Sequence, residues 1–416
     1  MKFNKWTVAL AAVGVVSLAS AAKADEKPSS VLTALSPTTI SGTVDTSMEW
    51  NPGTGNANVA PYKFNSPSMA DGFNLDVVQL TIEKPLDESD WAAGYRADLW
   101  FGPYANVLGT QSVFGKSNQQ ASQSDFAIRQ AYVALRAPVG NGLDFKVGVF
   151  DSIIGYESVD ASKDPNFTRS YGHSIEPQTE TGVLMSYRFC DCFSASAGVA
   201  NTIGPQINGR DVYPTTLSFG GIPVANEYGP DSESYKAYMG SVALTAPDSW
   251  GFLSGSTLYG GGVSGYNANI QQNYLLTHTP AWGANESSWY VGSTIATPVT
   301  GLRLGVAWDW LDIYQFPGKT WAIGAYISWQ ATEKLSFHGR AEYFYDSSQV
   351  LLPAPTDKVV DLTATVQYDL WKNVITRVEF RWDHSLNDAD AFGGTVQGKP
   401  EYVNAFMLAA NIIYKF

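Results

Sequence analysis

Residues Val374–Asp383 read VITRVEFRWD, and their side chains alternate in character along the whole stretch. One face would be mainly apolar, and the other would carry Arg377, Glu379, Arg381 and Asp383. A period of two is typical of a β-strand, because successive side chains of a strand point to opposite faces. Charges on every second position are costly against lipid, whereas the inside of a barrel tolerates them. The stretch therefore predicts a transmembrane β-barrel strand with its charged face toward the lumen.

The same alternation recurs in segments of about ten residues, the length that spans a bilayer when a strand is tilted. It is clear in TISGTVDTSMEW (39–50), WAAGYRADLWF (91–101) and LRLGVAWDW (302–310). With the less regular segments included, the chain holds about 16 strands, an even number as in bacterial barrels. After the first two dozen residues, no apolar run reaches the ~20 residues that a membrane helix requires. The predicted fold is an all-β, transmembrane antiparallel β-barrel.

The connections between these segments alternate between short and long. The short ones include PVGNG (138–142), CDC (190–192) and LWKN (370–373), and the long polar ones include 51–72, 151–180 and 201–234. Bacterial outer-membrane barrels combine short periplasmic turns with long extracellular loops. A soluble β-sandwich has no reason to keep such an alternation, so the pattern favours the membrane barrel.

The N-terminal residues have the pattern of a secretory signal peptide. Lys2 and Lys5 precede an apolar run that ends in Ala22-Lys23-Ala24, an A-x-A cleavage motif. The expected divisions are a signal peptide at 1–24, a short periplasmic segment at 25–37 and the barrel at 38–416. The expected location is the bacterial outer membrane, reached through the periplasm, with outer-membrane lipid as the surrounding partner.

The charge and composition exclude other classes of protein. The chain has 26 basic and 39 acidic residues, and loss of Lys2, Lys5 and Lys23 with the signal peptide would leave 23 basic ones. So acidic a chain is a poor binder of nucleic acid, because the phosphate backbone would repel it. Aromatic residues make up 13% and charged residues 16% of the sequence, which is too aromatic and too poorly charged for a typical soluble protein.

Four long runs resemble the OmpL-like outer-membrane β-barrel porins. They are NLDVVQLTIEKPLDESDWAAGYRADLWFGP from Asn74, DFAIRQAYVALRAPVGNGLDFKVGVFD from Asp125, NFTRSYGHSIEPQTETGVL from Asn166 and SYKAYMGSVALTAPDSWGFLSGSTLYGG from Ser234. The resemblance implies a porin, which is a water-filled channel for passive diffusion of small hydrophilic solutes or ions, and not an enzyme. Barrels of this size are often trimers, so analogy predicts a homotrimer. The CDC segment departs from the family pattern.

Charged residues on the lumen faces, with two from the third long connection, are the candidate pore-lining or constriction residues. They are Arg96, Asp98, Arg169, Glu176, Arg303, Asp309, Arg340, Glu342, Arg377, Glu379, Arg381 and Asp383. Charges of alternating sign can set a field across a channel and screen solutes by charge and size. Alternatively, they are paired wall charges that hold the barrel in shape, and the two interpretations are compatible.

The third long connection contains NFTRSYGHSIEP (166–177), whose residue types would also suit a catalytic centre. His173 and Ser174 are adjacent, however, and adjacent side chains of an extended chain point apart. In many porins the third loop folds into the barrel, so the resemblance suggests a constriction that faces Arg377 and Arg381. The alternatives are a loop-plugged structural or adhesive barrel and, less favoured, an outer-membrane hydrolase. No catalytic residue or cofactor is predicted.

Cys190 and Cys192 lie in one predicted periplasmic turn. They form either a redox or metal-binding pair, or simply two turn residues that are free or bridged. A two-thiol site has no nearby histidine to complete a zinc centre, and none of the 4 histidines shows H-x-H or H-E-x-x-H spacing. A disulfide across one intervening residue would be strained. No metal centre is therefore predicted.

Overall fold

The computed structural model describes residues 38–53, 55–111, 124–210, 217–219, 222–224, 235–267, 284–314 and 317–416. The expected signal peptide and the segment at 25–37 lie outside the described residues. In the described part, no helix is both long and apolar enough to cross a membrane.

Eighteen strands occur in the described residues. Their bounds are β1 (Thr39–Trp50), β2 (Gly72–Lys84), β3 (Ala93–Phe101), β4 (Phe126–Ala137), β5 (Leu143–Asp151), β6 (Thr179–Cys190), β7 (Phe193–Ala200), β8 (Leu217–Phe219), β9 (Ile222–Val224), β10 (Ala237–Thr245), β11 (Thr257–Asn267), β12 (Ala284–Ala296), β13 (Leu302–Ile313), β14 (Thr320–Gln330), β15 (Leu335–Asp346), β16 (Lys358–Trp371), β17 (Val374–Ser385) and β18 (Asn404–Lys415). Strands β8 and β9 pair only with each other in the described chain, and the other sixteen form one closed antiparallel barrel. The predicted fold is therefore confirmed.

Closure of the barrel joins the first and last strands. Thr43 pairs with Lys415 and Trp50 with Leu408, so β1 and β18 run antiparallel along eight residue pairs. Closure removes the unpaired strand edges that would otherwise face lipid. Every barrel strand then has a hydrogen-bonded neighbour on both sides.

The two faces of the wall differ as the alternation predicts. On β17, Val378 and Phe380 are 54% and 46% exposed, whereas Arg377 and Arg381 are 2% and 0% exposed. Exposed apolar side chains on the outside match the hydrocarbon of a bilayer. The charged face points inward, toward the loop described below.

The connections have 2–11 residues at one end of the barrel and 6–36 residues at the other, where most are long. We number the long-side connections L1 (51–71), L2 (102–125), L3 (152–178), L4 (201–236), L5 (268–283), L6 (314–319), L7 (347–357) and L8 (386–403). L6, with six residues, is the shortest of them. Helix α1 (Pro103–Val107) lies in L2, and helix α2 (Tyr171–Ile175) lies in L3. The predicted alternation of short turns and long loops is confirmed.

Gly148 occupies a strand position that suits only glycine. Gly148 in β5 has φ +135°, and an added Cβ would lie 2.3 Å from the carbonyl oxygen of Ala131 and 2.9 Å from the Cα of Tyr132. A side chain there would be strained by its backbone conformation and by contact with β4, which packs beside it.

We expect Gly148→Ala to lower the free energy of unfolding by about 1–3 kcal/mol, the usual cost of a residue held in a disfavoured backbone conformation. The matched control is Gly240→Ala, where the nearest atom to an added Cβ is the Ser196 carbonyl oxygen at 3.7 Å. Urea unfolding in detergent, followed by tryptophan fluorescence, measures both. Equal stability of the two variants would contradict the prediction.

Candidate functional site

L3 lies inside the barrel rather than above it. Apart from Lys163, every residue of 152–178 is buried or half-buried. The Lys415 ammonium group, at the end of the last strand, donates to the carbonyl oxygen of Ser162 at 3.2 Å. L3 leaves and rejoins the wall at the extracellular ends of β5 and β6, whereas Lys415 lies at the periplasmic end of β18. The loop therefore descends through most of the height of the barrel.

Two wall carboxylates hold the backbone of L3. Glu379 on β17 accepts hydrogen bonds from the consecutive backbone nitrogens of residues 167 and 168, at 2.5 and 2.9 Å. Glu342 on β15 accepts from those of residues 171 and 172, both at 2.7 Å. These bonds are charge-assisted, and they satisfy donors that would otherwise be unpaired away from water. The two acidic side chains are thus committed to L3.

Three wall arginines, Arg340, Arg377 and Arg381, donate to the carbonyl oxygens of the same loop. Arg340 donates to the Thr168 carbonyl oxygen at 2.8 Å, and Arg381 donates to that of Arg169 at 2.6 Å. Arg377 donates to the carbonyl oxygens of Ala161 and Asp164, at 3.0 and 2.5 Å. The wall carboxylates therefore bind backbone N–H groups of L3, and the wall arginines bind its backbone carbonyl groups. The structure places L3 against Arg377 and Arg381.

The wall arginines are also paired with acids. Arg340 contacts Asp361 at 2.6 Å and Glu157 of L3 at 3.0 Å. Arg381 contacts Asp383 at 2.8 Å and Asp361 at 3.6 Å. Asp361 and Glu157 are not among the candidate residues predicted from the sequence. The alternating pattern of β16 could have revealed Asp361, but no periodic signal marks Glu157.

A second charged cluster lies on β3 and β4. Asp98 contacts Arg96 at 3.0 Å and Arg129 at 2.9 Å, and Arg129 also contacts Asp151 at 2.8 Å. Arg129 was missed, because the alternation of β4 is irregular.

Nine of the twelve candidate residues lie in L3 or contact it, whereas Arg96 and Asp98 belong to this second cluster. Arg303 is exposed at the start of β13.

Much of the opposite wall of the lumen is apolar. Ile153, Ile154 and Tyr156, from the first residues of L3, belong to a buried cluster with side chains of β5–β7, β10–β14 and L4. Tyr156 stacks on Tyr326 of β14 with ring centroids 4.1 Å apart, and the hydroxyl of Tyr259 donates to the Ile153 carbonyl oxygen. L3 thus spans from an apolar wall to a charged one.

One contact joins two carboxyl groups. The side chain of Glu176 in L3 hydrogen bonds to that of Asp309 on β13. Two carboxyls this close share a proton, since both cannot ionise cheaply in a buried site. Burial, with the nearby charges of Glu157 and Glu342, raises the pKa of Glu176 to about 8, although its hydrogen bond with Asp309 acts in the opposite direction. The contact to β13 therefore depends on protonation.

The histidine of L3 is structural rather than catalytic in its contacts. The backbone nitrogen of His173 donates to the Ser170 hydroxyl at 3.0 Å, which caps α2. Burial lowers the pKa of His173 to about 3, so the ring is neutral at ordinary pH. The nearest acid is Glu176, 3.4 Å from Nδ1. This is not the hydroxyl–imidazole hydrogen bond that a Ser–His nucleophile requires.

Small cavities remain between the long loops and the barrel wall. One of about 10 Å³ is lined by Glu49, Tyr62 and Arg169, among others, where L1 and L2 approach L3. Another of about 20 Å³ lies beside L1 and L8. A cavity of this size holds about one water molecule. The described residues contain no group of three or more His, Cys, Asp or Glu side chains that could hold a metal ion.

Comparisons with solved structures agree with this architecture. OmpF of Salmonella typhi, solved with daunomycin, aligns with a TM-score of 0.57 and 12% identity over 91% of this chain and 97% of that one. The channel DcaP of Acinetobacter baumannii aligns with 0.54 and 10% over 91% and 97%. A trimer form of OmpT of Vibrio cholerae gives 0.54 and 11% over 91% and 99%. At such identities, the likeness shows the fold.

No curated protein matches the chain. The family model described as "Putative beta-barrel porin-2, OmpL-like" matches residues 37–416, which includes every described barrel strand. The chain therefore belongs to the OmpL-like β-barrel porin family, whose members are outer-membrane channel proteins.

Proposed function

We propose that the protein lets small hydrophilic solutes diffuse passively across the outer membrane, and that L3 forms the constriction. The observation that supports this is the path of L3, which crosses the lumen from the apolar wall to the charged wall. A solute must pass beside the loop or displace it. The nine candidate residues in or against L3 are then constriction residues, and Arg96, Asp98 and Arg303 line other parts of the wall.

Liposome swelling with sugars of graded size tests the proposal. An open diffusion channel gives swelling rates that fall steadily with solute size, because larger solutes fit the constriction less often. Swelling equal to that of protein-free liposomes for every sugar would refute passive diffusion through this barrel.

A plugged barrel with a structural or adhesive role is the second candidate. It is favoured by the burial of L3 inside the barrel and by the complete burial of Arg381, which contacts the loop. Single-channel recording separates the two candidates, since an open pore gives stable current steps and a plug gives none. The family and fold indicate a channel, and no hydrolase is proposed.

We further propose a homotrimer, supported by the trimer form of a protein with the same fold. Native mass spectrometry from detergent should give three times the mass of the mature chain. A monomer across a range of mild detergents would contradict this.

Weakening the wall carboxylates should loosen L3. We expect Glu342→Gln and Glu379→Gln to raise single-channel conductance, because an amide offers one neutral acceptor oxygen in place of a charged pair. The matched control is Glu286→Gln, which makes the same change on β12 at a residue that bonds Asn267. Conductance equal to that of the control would show that these two carboxylates do not fix the constriction.

Conductance should rise with pH. A raised carboxyl pKa means that the protonated form is favoured while L3 is in place. The contact of Glu176 with Asp309 is therefore strongest below about pH 4.5, the ordinary value, and is lost as pH rises through about 8. Within that window each pH unit can shift the L3 equilibrium by up to about tenfold.

Recordings in planar bilayers from pH 4 to 9 measure this effect. Glu176→Gln should flatten the pH dependence while leaving a hydrogen bond to Asp309, and Glu401→Gln in the exposed part of L8 should not. A wild-type conductance that stays constant across the range would refute the role of the carboxyl pair.

A further inference from the structure

The turn between β6 and β7 carries a cysteine pair that the proposed channel function does not use. Cys190 ends β6, Phe193 begins β7, and the two-residue turn includes Cys192. These are the 2 cysteines of the sequence. Both are exposed, and their sulfur atoms are 2.6 Å apart. The turn lies at the short-loop end of the barrel, which faces the periplasm.

Neighbouring turns hold this one in place. The side-chain amide of Asn141, in the turn between β4 and β5, donates to the carbonyl oxygens of Arg188 and Phe189 at 3.1 and 3.0 Å. On the other side, the backbone nitrogen of Thr245 donates to the Cys192 carbonyl oxygen at 2.9 Å. The two thiols are therefore kept together by backbone contacts that do not involve sulfur.

The two cysteines are exposed to solvent and lie next to a group of aromatic side chains. Phe189 and Phe193 stack with ring centroids 4.9 Å apart, and Tyr187 meets Phe189 edge-on at 4.8 Å. Aromatic side chains of this kind mark the membrane interface. The thiols next to them are open to water-soluble reactants in the periplasm, an oxidising compartment.

We propose that Cys190 and Cys192 form a reversible dithiol–disulfide site, oxidised by exchange with a disulfide-bearing protein of the periplasm. One cysteine thiolate attacks the partner's disulfide, forms a mixed disulfide and releases one partner thiol. The second cysteine thiolate then attacks the first cysteine's sulfur and expels the other partner thiol. The pair loses two electrons and two protons, and the partner disulfide gains both.

We expect the disulfide to be reduced easily, because only one residue separates the two cysteines. A ring closed across a single intervening residue is strained, and strained, exposed disulfides are readily reduced. A metal is the less favoured occupant, because two thiolates leave a zinc site with half of its usual ligands. The described residues also offer no third His, Cys, Asp or Glu ligand to complete such a group.

The test uses the full chain in detergent and oxidised glutathione as the disulfide. Reduced wild-type protein should lose both alkylatable thiols and end two hydrogens lighter by intact mass, without retained glutathione. Dithiothreitol should restore both thiols. In contrast, Cys192→Ser should keep one glutathione on Cys190, because no second thiol can expel it, and Cys190→Ser should behave in the mirror-image way.

Two results would overturn the proposal. One is wild-type protein that retains two alkylatable thiols after this treatment, and the other is wild-type protein that carries two glutathiones. Heat-dependent migration on a gel confirms that each variant is folded. The readout does not depend on conduction, so its failure and the failure of the channel proposal can be told apart.

Discussion

The central constraint is that L3 is buried, so each of its backbone polar groups needs a partner that water does not supply. An unpaired buried N–H or C=O costs as much as a lost hydrogen bond. Glu342 and Glu379 supply acceptors, and Arg340, Arg377 and Arg381 supply donors. The acidic side chains of the wall thus accept hydrogen bonds from backbone N–H groups of L3, and the basic side chains donate to its backbone carbonyl groups. These wall residues take the place of the neighbouring strand that would bond the backbone in a sheet.

The sequence leaves two interpretations open for the wall charges, namely that they screen solutes or that they are paired charges with a structural role. The contacts in the structure support the structural role. Arg340 is compensated by Asp361 and Glu157, and Arg381 by Asp383 and Asp361. Such buried ions persist because they are paired, and removal of one partner would leave an uncompensated charge. The charges therefore hold L3 in position.

The barrel could be predicted from sequence because the patterns that indicate it involve residues close together in the chain. Two-residue alternation and the lengths of the connections are both visible along the chain, and both are confirmed. The partners of L3 could not be predicted in the same way. Arg340 and Glu157 are separated by 183 positions, and the loop between Asp151 and Thr179 has no period from which to read its facing residues. The resemblance suggested an inward loop, but it did not indicate a descent to Lys415.

The two walls of the lumen would respond to water in opposite ways if L3 moved. On the charged side, Arg381 and Glu379 exchange backbone partners for water, which compensates much of the loss. On the apolar side, separation of Tyr156 from Tyr326 would expose ring surface to water without compensation. Movement that breaks the polar contacts and keeps the apolar ones therefore costs least. Of the contacts described above, those of residues 152–156 with the apolar wall would therefore be the costliest to break, and those of Glu379 and Arg381 with the L3 backbone the least costly.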